Sequence, residues 1–254
     1  MSYKNIIYSI KDNIAEVILN RPDKMNSLDE TLIIELTELF NKINNDENIR
    51  VAVISGAGGN FCSGLFLDYL QKISEFDLEQ NKADSMKFKD MLLSIYTCSK
   101  PVIAKVSGYA LAGGCGIATC CDFIITDETA KFGYTEVKIG FIPAIVMKFL
   151  MKRVSETHAK ELLLSAKIIS ADEALRIGLI NSVVNKGELD SKVDELCNLL
   201  KKNSGSSIAS TKEMFRKISD MTFENALEYA CDLNASIRMT NEFKIGLAKF
   251  LSRK

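Results

Sequence analysis

The chain has little histidine and almost no excess charge of either sign. Its 254 residues include one histidine, His158, so zinc sites built on several histidines and histidine-based catalytic triads are not expected. Lysine and arginine (32 residues) balance aspartate and glutamate (33 residues), for a net charge of −1. Because proteins that bind nucleic acid usually carry a basic excess, we expect no nucleic-acid partner.

Long apolar runs and metal-type cysteine pairs are also missing. No stretch of 18 apolar residues occurs, and the first residues, Met-Ser-Tyr-Lys-Asn, lack an apolar signal segment, so neither a membrane span nor secretion is expected. The seven cysteines are odd in number and contain no Cys-x-x-Cys pair. This usage indicates reduced thiols in a cytoplasmic protein without a metal site.

What the chain does contain predicts a large folded core. Apolar residues make up 47% and charged residues 26% of the sequence. Before residue 143, β-rich runs alternate with helical patterns, which is typical of an α/β fold built from βαβ units. The predicted strands are 6–10 and 14–19 (a hairpin), 51–55, 101–106 and 122–126, with a helix from Ser27 or Asp29 to about Asn44. Later residues predict helices, among them 223–239 and 241–251, interrupted by one short strand at 179–184.

A glycine-rich segment supplies the first candidate for chemistry. Residues 106–122 read Val-Ser-Gly-Tyr-Ala-Leu-Ala-Gly-Gly-Cys-Gly-Ile-Ala-Thr-Cys-Cys-Asp, and Phe-Gly-Tyr-Thr-Glu follows at 132–136. Gly113 precedes a predicted helix at 114–121, so its N–H can face a developing oxyanion with support from the helix dipole. The turn at 60–67 offers a second N–H, at Leu65, which we expect to begin the next helix. Glu136 can move a proton.

These segments, together with Asn-Arg-Pro-Asp-Lys-Met-Asn-Ser-Leu at 20–28 and residues 163–184, closely resemble the crotonase (enoyl-CoA hydratase/isomerase) superfamily. The resemblance spans residues 8–250. It implies a spiral of ββα units (predicted here as residues 1–195) and a C-terminal helical trimerisation region (196–254). It also implies an acyl-CoA bound between the two, and trimers or dimers of trimers. No separate cofactor is implied, because coenzyme A arrives as part of the substrate.

The resemblance also implies roles for individual residues. Leu65 and Gly113 match the oxyanion donors, and Glu136 matches the second of two catalytic glutamates. The implied substrate-binding set is Lys24, Met25, Ser63, Leu65, Phe66, Leu67, Asp68, Gly113, Gly116 and Thr135. Two members depart from the pattern: Phe66 stands where the family often has aspartate, and Asp68 where some hydratases have a lysine near the CoA phosphates. Lys72, one turn further on, is the alternative contact, and Asp68 is either a helper acid or a surface carboxylate.

Gly116 is the most informative departure, because two-glutamate hydratases carry their first glutamate there. A single carboxylate suits a 1,3 proton shift, which favours an enoyl-CoA isomerase. The finer match at 112–119 and 132–146 resembles methylglutaconyl-CoA hydratases, in which glycine at 116 would make room for a branched acyl group. We therefore expect a hydro-lyase acting on a short, branched 2-enoyl-CoA. An isomerase, and a non-catalytic acyl-CoA or RNA-binding relative, remain alternatives.

Four smaller features of the sequence have less specific interpretations. The charged stretch 76–89 predicts an exposed loop or helix over a cleft, and the apolar segment 141–146 either lines the acyl pocket or packs in the core. Tyr134 either hydrogen-bonds near Glu136 or packs as an aromatic. His158 lies in a polar helix start and is expected on the surface.

Overall fold

The computed structural model describes residues 3–252. Within them the strands are β1 (Ile6–Lys11), β2 (Ile14–Leu19), β3 (Val51–Gly56), β4 (Val102–Val106), β5 (Tyr109–Leu111), β6 (Phe123–Asp127), β7 (Lys131–Gly133), β8 (Ile168–Ser170) and β9 (Ser182–Val184). The helices are α1 (Glu30–Asn45), α2 (Leu67–Ser74), α3 (Leu78–Tyr96), α4 (Gly113–Cys120), α5 (Ala144–Leu150), α6 (Glu156–Ser165), α7 (Ala171–Arg176), α8 (Leu189–Lys201), α9 (Gly205–Ile218), α10 (Phe223–Met239) and α11 (Asn241–Leu251). The predicted α/β core followed by a mainly helical part is confirmed.

The main sheet has the strand order β1-β2-β3-β4-β6-β9. β1 and β2 form the predicted hairpin, and the two residues between them, Asp12 and Asn13, have φ of 49° and 64°. Positive φ at both positions is what a tight two-residue hairpin turn requires. The remaining neighbours pair in parallel, so the carboxyl ends of β3, β4 and β6 lie at one edge.

A second, three-stranded sheet has the order β5-β7-β8. The chain passes from β4 to β5 and then α4, and again from β6 to β7 and then a short 3-10 helix at Glu136–Ile139. This repeat is the expected ββα spiral. The sequence analysis did not predict the small sheet, because strands of three residues are too short to show an alternating pattern.

Apolar side chains cover both faces of the main sheet. One face packs on the large core that includes α1, and the other packs on α8 through Leu189, Val193 and Cys197. Strands buried on both faces read as continuous apolar runs, as β3 does. The predicted boundary after residue 195 falls inside α8, where Cys197 is fully buried. Within the described chain, the helices without a buried residue begin at α9.

α3 settles the interpretation of the charged stretch at 76–89 in favour of a helix. Its start is a capping box: Asp77 accepts a bond from the N–H of Gln80 (2.8 Å), and Gln80 accepts one from the N–H of Asp77 (3.0 Å). α3 packs against α1 and α4, and so lies beside the glycine-rich segment. Over residues 3–252, no helix has the length and apolar character that a bilayer crossing needs.

Candidate active site

The N–H of Gly113 stands at the start of α4, as predicted. The residue before it, Ala112, has φ of 49° and ψ of −124°, a conformation that favours glycine. Ala112 is held there by a bond from its N–H to the carbonyl of Gly133 (2.8 Å). Gly113 is buried, and its N–H bonds to no acceptor among residues 3–252. A free N–H at a helix start is a ready anion donor.

The N–H of Leu65 faces away from Leu28, the residue with which Leu65 forms a parallel bridge. The N–H of Leu28 donates to the carbonyl of Gly64 (2.7 Å), and the N–H of Phe66 donates to the carbonyl of Leu28 (2.8 Å). Because bonding groups alternate along extended backbone, the N–H of Leu65 points to the other side. It too has no acceptor within the described residues. α2 begins at Leu67, so the expectation that Leu65 begins this helix was wrong by two residues.

Direct backbone contacts hold the two donor segments together. Cys62 and Ala110 form a parallel bridge, in which the N–H of Cys62 donates to Tyr109 and the N–H of Leu111 donates to Cys62, both at 2.9 Å. Gly64 has φ of 93°, and a Cβ added to it would lie 3.5 Å from the nitrogen of Gly113. The turn carrying Leu65 is therefore packed directly on the turn carrying Gly113.

Glu136 contributes a half-buried carboxylate on the 3-10 helix that follows β7. Its Oε2 atom is buried and has no hydrogen-bond partner among the described residues. Burial raises the pKa of Glu136 above its usual value, and the bond from its own N–H only partly opposes this. A carboxyl group that faces a cavity and lacks a fixed hydrogen-bond partner can accept a proton from a bound molecule and return it.

Leu65, Gly113 and Glu136 line one cavity of about 560 Å³. Its walls come from α1, α2, α3, the glycine-rich turns and residues 135–146. The apolar lining includes Ile33, Leu67, Leu70, Ile73, Phe88, Ile139, Phe141, Ile142, Ile145 and Val146, and the polar lining consists of Ser63, Asn81, Asp84, Ser85, Thr135 and Glu136. The apolar segment at 141–146 thus lines the cavity. The site can hold an apolar chain while two N–H groups and one carboxylate face its reacting end.

The family model described as enoyl-CoA hydratase/isomerase matches residues 9–254. The chain belongs to this family. It is 32% identical to a crotonyl-CoA hydratase of Syntrophomonas wolfei over 256 residues (100% of this chain, 97% of the relative). It is 31% identical to a short-chain-enoyl-CoA hydratase of Clostridium acetobutylicum over 260 residues (100% and 97%). A crystal structure of an enoyl-CoA hydratase from Shewanella pealeana superposes with a TM-score of 0.96 at 27% identity, covering 100% of this chain and 95% of that one.

This membership places the chain among the crotonase-fold enzymes of the enoyl-CoA hydratase/isomerase family, as the resemblance implied. The finer resemblance to methylglutaconyl-CoA hydratases is not shown by the comparisons. The roles carried over from the family to individual residues remain predictions, which the positions of those residues support unequally.

Gly116 does not lie in this cavity. It is buried within α4, and a Cβ added to it would stand 2.4 Å from Cγ1 of Val146, which does line the cavity. The expectation that glycine at 116 makes room for a substrate branch stays a prediction, and the side chain of Val146 on α5, which occupies the space beside Gly116, argues against it. A side chain at 116, such as the first glutamate that the resemblance implies for two-glutamate hydratases, would meet the same valine.

Lys24 and Phe66 meet outside the cavity. The ammonium of Lys24 lies 4.4 Å from the centre of the Phe66 ring, and the guanidinium of Arg21 lies 5.5 Å from it. Met25 belongs to the same surface, since its carbonyl accepts a bond from the N–H of Ser63 (3.1 Å). The predicted CoA-binding segments thus lie side by side, leading to the cavity through Ser63.

Asp68 is exposed on α2 and does not line the cavity, which fits the surface-carboxylate alternative. Lys72 is also exposed, and its ammonium lies 3.3 Å from Glu30 of α1. Lys87 of α3 reaches the same carboxylate at 2.5 Å. Both lysines hold the pKa of Glu30 below its usual value, Lys87 more strongly. Glu30 therefore links α1, α2 and α3 at the surface.

Tyr134 packs as a buried aromatic rather than beside Glu136. Its side chain is fully buried, and its hydroxyl lies 3.4 Å from that of Thr119. Burial raises the pKa of Tyr134 well above its usual value. His158 lies on the surface of α6, 3.8 Å from Glu161, as expected. Neither residue takes part in the cavity.

Sequence reasoning missed the cavity residues supplied by α3. Asp84 and Phe88 line the cavity, and Tyr69 of α2 donates a hydrogen bond to Asp84. The available signal was the four-residue spacing of Asp84 and Phe88, which places both on one helix face. The charged neighbours of these residues masked that signal.

Proposed function

We propose that the protein is a hydro-lyase that adds water to a short 2-enoyl-CoA. The observation that carries this is the convergence of two unpaired backbone N–H groups and one buried carboxylate on a single apolar cavity. The relatives named crotonyl-CoA hydratase and short-chain-enoyl-CoA hydratase support the same reaction.

The proposed mechanism uses Glu136 at both ends of the reaction. The carboxylate accepts a proton from water as the water oxygen bonds to the β-carbon. The electron pair of the double bond moves onto the thioester oxygen, where the N–H groups of Leu65 and Gly113 stabilise the enolate. The protonated Glu136 then returns the proton to the α-carbon. Burial raises the pKa of Glu136, which makes its carboxylate a stronger base toward water than an exposed glutamate.

The acyl group is proposed to be short and unbranched rather than of the 3-methylglutaconyl type. The branched alternative relied on free space at Gly116, and Val146 occupies that space. The remaining wall is lined by aliphatic and aromatic side chains, which favours an alkyl chain.

The decisive experiment measures products from crotonyl-CoA, 3-methylglutaconyl-CoA and a 3-enoyl-CoA. The full chain, Glu136→Gln and the exposed control Glu128→Gln are compared. We expect crotonyl-CoA to give the 3-hydroxyacyl product, with a loss of about 10²–10⁴-fold for Glu136→Gln and no loss for Glu128→Gln. Faster turnover of 3-methylglutaconyl-CoA would restore the branched substrate.

An isomerase is the second candidate, because Glu136 is a single carboxylate and a 1,3 proton shift needs only one. Conversion of the 3-enoyl-CoA to its 2-enoyl isomer, without hydration of crotonyl-CoA, would establish it. A chain that turns over none of the three substrates would instead be a non-catalytic acyl-CoA or RNA-binding relative.

Assembly and location complete the proposal. α9, α10 and α11 expose large apolar side chains, among them Phe215, Phe223, Leu227, Phe250 and Leu251. This surface supports assembly into a trimer or a dimer of trimers, which light scattering on the purified protein would measure.

The free thiols, buried at six of seven positions, support a reducing, cytoplasmic location. We propose no cofactor beyond the coenzyme A of the substrate.

A further inference from the structure

Asp84 projects a carboxylate from α3 into the cavity, close to the donors. Phe88, one turn further along the same face, touches Gly113 so closely that a Cβ added to Gly113 would lie 3.1 Å from the Phe88 ring. One helical turn is about 5.4 Å, so Asp84 stands one turn from the oxyanion donors along the cavity wall. A substrate whose thioester oxygen meets the donors can bring the far end of its acyl chain to a side chain at this position.

Tyr69 holds the Asp84 carboxylate in place. The hydroxyl of Tyr69 donates a hydrogen bond to Oδ1 of Asp84. Tyr69 is only 6% exposed. Burial, and then its bond to Asp84, raise the pKa of Tyr69 far above its usual value. The phenol therefore stays protonated as the donor. This bond fixes the rotamer of Asp84 without neutralising its charge.

No cation forms a direct ion pair with the Asp84 carboxylate among the described residues: Lys87, whose charge interacts with that of Asp84, is paired with Glu30 at 2.5 Å. Within residues 3–252, Asp84 forms no ion pair with a lysine, an arginine or the histidine. Asp84 and Glu136 are the two ionisable residues that line the cavity, and no basic side chain in the described chain does so. Because the rest of the wall is mainly apolar, charge repulsion is less screened there than at an open surface.

We propose that Asp84 is a specificity-determining residue that selects acyl groups by charge. It rejects acyl chains that end in a carboxylate and admits neutral chains and chains that end in a positive charge. This inference builds on the proposed hydration of a 2-enoyl-CoA and names the class of acyl group that the same site takes. Discrimination arises from like-charge repulsion of the wrong substrate rather than from extra contacts with the right one.

The test compares glutaconyl-CoA, which ends in a carboxylate, with its neutral methyl ester, using crotonyl-CoA as reference. The variant is Asp84→Asn. Its control is Asp90→Asn, which makes the same charge change at an exposed position of the same helix outside the cavity. We expect the wild type to favour the ester over the acid. Asp84→Asn should reduce this preference about tenfold, as a lost like-charge contact implies, whereas Asp90→Asn should leave both the preference and crotonyl-CoA turnover unchanged.

An ester-to-acid ratio that is the same in wild type and Asp84→Asn would overturn the proposal. So would a fall in crotonyl-CoA turnover as large as that caused by Glu136→Gln, since Asp84 would then take part in the reaction. If Asp84→Asn does not fold, Tyr69→Phe provides the second variant. It releases the carboxylate from its donor, and we expect a weaker preference that varies more with salt concentration.

Binding separates this inference from the proposed function. Competition of the acid and the ester against a non-hydrolysable acyl-CoA analogue measures charge selection even in a protein that hydrates neither. Loss of hydration with retained ester preference would refute the proposed reaction alone. Hydration of crotonyl-CoA without ester preference would refute charge selection alone.

Discussion

A methyl group of Val146 stands where a side chain at residue 116 would begin. The distance from an ideal Cβ at Gly116 to Cγ1 of Val146 is 2.4 Å, far inside van der Waals contact. The two residues belong to α4 and α5, whose packing therefore depends on glycine at one position and a branched side chain at the other.

We expect Gly116→Ala to lower the free energy of unfolding by about 1–3 kcal/mol, because a methyl group would be forced into an occupied space. Val146→Ala in the same chain should recover most of this loss. Urea unfolding of the two single variants and the double variant measures the coupling. Additive losses would mean that the two side-chain positions do not compete for one space.

The acid limb of the pH profile should report the buried carboxylate. Burial raises the pKa of Glu136. As the pH is lowered, the hydration rate should therefore begin to fall at a higher pH than it would with an exposed glutamate, because the carboxylate is protonated earlier. Initial rates of crotonyl-CoA hydration between pH 4 and pH 8 measure this limb, with enzyme stability checked at each pH. A limb at the ordinary glutamate pKa would indicate that Glu136 is solvated when the enzyme works.

The raised pKa of Glu136 should also make the free energy of unfolding depend on pH, with the wild type less stable at high pH than at low pH. A carboxyl group whose pKa is raised in the folded state stabilises the fold below its ordinary pKa, and it loses that contribution as the pH rises through the folded-state pKa. Glu136→Gln is therefore expected to gain stability relative to wild type at pH 8 and not at pH 4. Urea unfolding at the two pH values tests this. A variant equally destabilised at both would show a packing role instead.

Ala112 holds a backbone conformation that suits glycine, with φ of 49° and ψ of −124°. Ala112→Gly should relieve backbone strain of about 1–3 kcal/mol. Up to about 1 kcal/mol of this gain is offset because glycine gives the unfolded chain more conformational freedom. We expect higher stability together with a lower kcat, since the Gly113 donor would be held less firmly. Thermal unfolding and hydration rates check the two effects, and a loss of stability would contradict the strain.

Glu30 joins three helices through Lys72 and Lys87, yet all three side chains are between about a third and about half exposed. We expect Glu30→Gln to cost less than about 1 kcal/mol, because exposed ion pairs are screened by water and salt. Urea unfolding at low and high salt measures it. A larger, salt-independent loss would mean that these pairs hold α2 and α3 in place.

Most of the elements were predictable because their signals were long. The strand at 51–55 reads as one apolar run, and the helices at 223–239 and 241–251 were predicted with the bounds that the structure has. The three strands of the small sheet escaped detection because each has only three residues. Their pairing depends on the position at which each strand of the main sheet ends, and no local sequence pattern indicates that position.

The candidate site likewise has features that were predictable from the sequence and features that were not. The presence of Leu65, Gly113 and Glu136 at one cavity was predictable, since each belongs to a contiguous motif, and their roles stay predictions. The relationship between Gly116 and Val146 was not, because the two residues are 30 positions apart and meet only through the packing of α4 on α5. Asp84 was missed for a similar reason, as its meaning depends on which face of α3 turns inward.

The bridge between Cys62 and Ala110 has a consequence for how the enzyme responds to charge. Water around a free enolate must reorient its dipoles whenever the charge appears, whereas the bridge already fixes the turns that carry the N–H groups of Leu65 and Gly113 when the chain has folded. In the proposed mechanism, reorganisation at the thioester oxygen thus takes place once, during folding, and not in each catalytic cycle. Crystals grown with and without an acyl-CoA should accordingly superpose at residues 62–65 and 110–113, and the differences between them should lie elsewhere.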